Sequence, residues 1–128
     1  MMSVKEFNNF VESKVNQYIK VLKEKGNNNI GYQTKGNRLS YFYKHANILK
    51  ITPERAALDL AIKHFISVVE MVNNIDGDIV FSEEYADEKI GDLINYMLFI
   101  RALIHERNNQ IEFTKKNMQK LGEQTGKL

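Results

Sequence analysis

A chain of 128 residues with 43% hydrophobic content is enough for one domain with a single core. Eighteen basic against sixteen acidic side chains leave a net charge of +2, which gives no electrostatic ground for a nucleic-acid partner. The lack of cysteine excludes disulfides, thiol catalysis and thiolate metal sites; with no signal-peptide run and no stretch near the about 20 apolar residues of a membrane span, a cytoplasmic protein is expected.

Ser3-Val4-Lys5-Glu6 has the spacing of a capping box and predicts a first helix ending near Gly26. Val4, Phe7, Val11, Val15, Tyr18, Ile19 and Leu22 make its apolar stripe. The stretch from Asn27 to Asn37 lacks periodicity and is rich in Asn and Gly, so a loop is expected; Lys35 and free amides there would suit an anion, but no complete phosphate-binding motif is present. A short second helix from Arg38 to Leu49 turns Leu39, Phe42, Ala46 and Leu49 inward. Arg38, Tyr41 and His45 then share the adjacent face, offering a guanidinium, an aromatic plane and an imidazole to a phosphate and a base, or simply forming a surface patch.

Thr52-Pro53 is a strong helix start, because Thr can cap and Pro gives up only an amide that has no helical partner. The third helix is expected to reach Asn73, with Asp59, Lys63, Ser67 and Glu70 as a polar ridge beside His64. Asp76-Gly77-Asp78 forms a turn and lacks the remaining ligands of a calcium loop. Ser82 caps a central helix in which Glu84, Glu88, Asp92 and Asn95 fall on one ridge. From Leu93 to Ile104 only Asn95 and Arg101 interrupt an apolar run, the pattern of a helix buried among neighbours, so the ridge needs a cation, basic side chains or a cleft mouth as its partner. Beyond Ile104 a satellite helix is expected, with Ile104, Ile111 and Met118 seven residues apart as a short intersubunit seam. Residues 122–128 should fray, leaving 1–121 as a single domain.

Arg38-Leu39-Ser40-Tyr41-Phe42, Thr52-Pro53-Glu54, Lys63-His64 with Ser67, and Asp87-Glu88-Lys89-Ile90-Gly91-Asp92 with Asn95-Tyr96 together resemble a group of small helical phage and prophage proteins. The last element is also similar to the acidic helix of all-α nucleotide pyrophosphohydrolases of the MazG type and of the nucleotide-modification-associated phage domain. The resemblance implies an all-α bundle of MazG-like form, carboxylates on two helices holding magnesium, and a nucleoside triphosphate cut between its phosphates. The chain departs from that pattern. Lys89 stands where the first acid of a Glu-x-x-Asp pair would be, and the third helix offers Asp59, Lys63-His64 and Glu70 in place of a Glu-x-x-Glu pair.

The expected fold is therefore all-α, four or five helices in a compact bundle, with the third and central helices antiparallel and Phe7, Phe42, Leu60, Leu93 and Met97 in the core. The apolar circumference of 93–104 further predicts a homo-oligomer. The leading functional expectation is a phage-type protein in the bacterial host cytoplasm that binds a nucleotide or nucleotide-derived messenger, sequestering it in counter-defence. Arg38, Tyr41, Lys63, His64, Glu88, Asp92 and Asn95 would bind the ligand across a cleft between helices two, three and four, with no cofactor. Two alternatives stay open. One is a magnesium-dependent pyrophosphohydrolase with Glu84, Glu88 and Asp92 as metal ligands; the other is a protein-docking inhibitor of a host defence system that takes no small ligand.

Overall fold

The computed structural model describes residues 1–27, 37–77 and 79–125, and 85% of these are helical. Among the described residues there are four helices and no strand. The expected loop from Asn27 to Asn37, with its anion-binding Lys35, lies almost wholly outside them.

Each helix start has a local cause. α1 (Val4–Asn27) begins where Ser3 Oγ accepts from the Glu6 amide at 3.1 Å. α2 (Ser40–Leu49) follows Asn37, whose Oδ1 accepts from the Leu39 amide at 2.9 Å, and it stops where Lys50 turns left-handed at φ 55°. α3 (Pro53–Asn73) starts at Thr52, whose Oγ1 accepts from the Arg55 amide at 3.1 Å. α4 (Glu83–Thr125) starts at Ser82, whose Oγ accepts from the Tyr85 amide at 3.0 Å.

α4 is one helix where a central helix and a satellite were expected. Its 43 residues span about 65 Å at 1.5 Å per residue. The change of composition after Ile104 marks loss of burial, not a break, because no Gly or Pro lies between Asp92 and Leu121 to interrupt the backbone bonds. The helix also runs through Gly122 to Thr125, past the point where fraying was expected, and 126–128 lie outside the described residues.

The core is a compact body of α2, α3 and the first half of α4. Ala57 and Ala61 on α3 are fully buried and small, which lets the helix axes approach and sets Tyr96, Phe99 and Leu103 of α4 around Phe42 of α2. α3 and α4 run antiparallel as expected, since Arg107 pairs with Glu54 at one end (Nη2 to Oε2, 2.7 Å) and His64 stacks on Tyr96 farther along. Of the five expected core residues, Phe42 is buried, Leu60 packs at the edge of the cluster and Leu93 is half-buried. Phe7 and Met97 are exposed, at 55% and 45%, and both expectations are corrected. α1 docks through Lys14, Tyr18, Leu22 and Lys25, which leaves Phe7 on its free side, and Met97 lies on the outer side of the α3–α4 pair.

Candidate functional site

A cleft of about 250 Å³ opens between α1 and the first turns of α4. Gly91 lies under the Tyr18 ring, where a Cβ would sit in van der Waals contact with it at 3.4 Å. Gln17, Tyr18, Val21 and Lys25 line one wall, and Glu84, Asp87, Glu88, Asp92 and Asn95 line the other.

Asp87 locks the two helices together. It accepts from Lys14 Nζ at 2.9 Å, from the Tyr18 hydroxyl at 2.9 Å and from Gln17 Nε2 at 3.3 Å. The hydrogen bond from Lys14, helped by those from Tyr18 and Gln17 and opposed by burial, holds the Asp87 carboxyl below its ordinary range. Burial, the bond to Asp87 and its negative charge push the Tyr18 hydroxyl up to about 12. The signs follow by linkage. A depressed carboxylate stabilises the fold above its unfolded value of about 3.9 and loses that contribution as pH falls through the folded value; a raised tyrosine stabilises below about 10 and loses it on the way to about 12. We expect the melting temperature to fall below about pH 4 and again above about pH 10. Asp87→Asn should flatten part of the acid limb and cost roughly 1 kcal/mol at neutral pH, as measured by thermal melts across a pH series. An unchanged acid limb in Asp87→Asn would contradict the lock.

Asp92 lies farther along the same wall, 3.6 Å from Lys25 Nζ and 3.9 Å from His64 Nδ1. The His64 ring stacks on Tyr96 at 4.6 Å, so its position is set by the core. Beside them Asn95 is 7% exposed, and its Oδ1 receives no hydrogen bond. A buried acceptor left without a donor costs about 1 to 3 kcal/mol.

The structure brings together Glu84, Glu88, Asp92 and Asn95 with His64 at the edge, as the ridge spacing predicts. It does not bring Arg38, Tyr41 or Lys63 to them. Arg38 Nη1 donates to the Leu22 carbonyl at 2.9 Å, with its guanidinium 5.7 Å from the Phe99 ring centre, and burial pulls its pKa down. That side chain fastens the end of α1 to the core. Tyr41 packs on Phe42 and His45, and Lys63 is exposed away from the cleft. The cleft therefore lies between α1 and α4, not among helices two, three and four, and the expected basic wall is a carboxylate-rich one with Lys25 its lining cation. Lys89 turns aside to the Tyr85 ring, 5.4 Å away.

Gln17, Tyr18 and Lys25 were not among the expected site residues. The readable signal for them is Gly91, since a glycine inside a helix marks a close approach by something. As for a metal, Asp87 is committed to three donors and Asp92 faces two basic groups, and no group of three or more His, Asp or Glu side chains among the described residues converges to hold an ion. The expected ligands Glu84, Glu88 and Asp92 thus line the cleft without forming a coordination set. Comparison with known protein families, with curated proteins and with solved structures finds no match to this chain.

Proposed function

We propose that the protein binds a small, hydrogen-bond-donating molecule of nucleotide type in the α1–α4 cleft, and that it holds the molecule without cleaving it. The observation that carries this reading is the cleft itself, whose α4 wall sets Glu88, Asp92 and Asn95 side by side, with the Asn95 Oδ1 undonated and buried behind it. Those three groups are acceptors. Their complement is a ligand edge that donates, such as the exocyclic amine of a base with the hydroxyls of a ribose. Tyr18, Val21 and Gly91 supply an apolar wall for a flat ring. Any phosphates point outward past Lys25, since the inner wall carries carboxylates and would repel them. Binding without turnover is a function in itself when the ligand is a nucleotide-derived messenger, and sequestering such a molecule in counter-defence against a bacterial host is the role we assign, on the strength of the phage-protein resemblance.

Calorimetry with nucleosides and with linear and cyclic nucleotides, each with and without magnesium, tests the reading. Binding is expected in both arms. Asp92→Asn and Glu88→Gln should each weaken it about tenfold, because a charge-assisted hydrogen bond contributes roughly 1.5 to 3 kcal/mol. Release of pyrophosphate in the magnesium arm would replace binding with hydrolysis.

A further inference from the structure

The chain exposes 9952 Å² of surface. A compact monomer of 14.9 kDa would expose about 7,000 Å². Among the exposed apolar side chains of the described residues, two sets match each other.

The first is a groove of about 290 Å³ between α3 and α4, lined by Leu58, Ala61, Ile62, Phe65, Leu93 and Met97 with no polar surface. Along α3 it continues as a stripe of Leu58, Ile62, Phe65, Val69 and Val72, alternately four and three residues apart, each 38% to 54% exposed. That spacing is the one a helix uses to receive another helix. The second is the far half of α4, on which every described side chain from Ile104 to Glu123 is exposed. Ile104, Ile111 and Met118 there make a seam at 39%, 46% and 67% exposure, and with 3.6 residues per turn this seam lies on the same side of α4 as Met97.

We infer that two copies pair through an antiparallel exchange in which the far half of each α4 fills the α3–α4 groove of the other. Ile104 is the midpoint of α4, so a two-fold axis there pairs the helices over their whole length and sets Ile111 level with Met97 of the second copy. The helix dipoles favour the same direction, since an antiparallel pair sets the positive N-terminal end of one α4 beside the negative C-terminal end of the other. The area is sufficient as well, since obligate dimers bury about 2,000 to 5,000 Å² in total, about 1,000 to 2,500 Å² from each chain, against a surplus of about 3,000 Å² on each. The groove side of α4 is roughly opposite the polar cleft, so this pairing is independent of the ligand proposed above.

Light scattering at micromolar concentration should give twice 14.9 kDa. The double substitution Ile111→Glu with Met118→Glu, both at positions already exposed within one chain, should halve the mass with the helical circular dichroism of the core retained, and Phe65→Glu should do the same. Because the chain has no cysteine, a Phe65→Cys chain mixed with an Ile111→Cys chain can be joined by a short bis-maleimide, and a covalent pair of the two chains is expected. A single-copy mass for the unaltered protein overturns the proposal. So does a pair that survives all three glutamate substitutions, or cross-linking of Phe65→Cys to Phe7→Cys in preference to Ile111→Cys.

Discussion

Phe42→Ala should cost about 3 to 5 kcal/mol, a third or more of the stability of an ordinary domain. Phe42 is 1% exposed, and its ring lies 5.3 Å from that of Phe99, 5.9 Å from Tyr41 and 6.3 Å from Tyr96. α2 has only ten residues, too few to persist alone, and Phe42 and Ala46 are the side chains it buries. Removing the ring therefore empties the centre of the cluster and frees the helix that carried it. Denaturant unfolding at fixed protein concentration measures the effect, the concentration being held because pairing of copies would add to the apparent stability. A loss under about 1 kcal/mol would mean that the centre lies elsewhere.

The helix starts were legible in the sequence because capping is local. Ser3, Thr52 and Ser82 each reach an amide three residues ahead, and nothing distant has to be known. The continuity of α4 was misjudged for an equally physical reason. Apolar content reports burial, whereas continuity depends on the absence of breakers, and the two part company after Ile104. The antiparallel α3–α4 pair was foreseen, but Phe7 was assigned to the core on α1's most apolar stripe. α1 in fact docks by Lys14, Tyr18, Leu22 and Lys25, so only the later part of that stripe is used, and Asp87 anchors the contact by accepting from Lys14, Gln17 and Tyr18.

The same distinction runs through the site. Glu84, Glu88, Asp92 and Asn95 could be placed together from their spacing on one helix, and they do share a wall of the cleft. The opposite wall could not be placed that way, since Tyr18 and Asp87 meet across 69 residues of chain. Arg38 looked like a phosphate ligand because its charge is visible in the sequence while the Leu22 carbonyl that occupies it is not. His64 was expected to face Glu88 and Asp92 across a cleft among helices two, three and four; in the structure it stacks on Tyr96 with Asp92 alongside.

Asn95→Leu should separate stability from binding. The residue is nearly as buried as the aromatic core beside it, and its undonated Oδ1 is a standing cost to the unliganded fold. Leucine has a similar volume and leaves no polar atom unpaired. The unliganded variant should therefore melt at the same temperature as the unaltered chain or a few degrees higher, a gain of up to about 1 to 2 kcal/mol. A residue kept for packing alone would show no such gain. Binding should move the other way, because the acceptor that meets the ligand's donor is gone and a donor buried against leucine is left unpaired; a loss of roughly tenfold to a hundredfold is expected.

Titration of the unaltered chain and of Asn95→Leu with the same panel of nucleosides and nucleotides, both checked first by thermal melts without ligand, measures the two effects on one preparation. The expected result is saturable binding of at least one purine or pyrimidine compound by the unaltered chain, weakened at least tenfold in a variant that is no less stable. Equal binding by the two proteins, or no binding of any nucleoside or nucleotide by the unaltered chain, would contradict the account of the cleft.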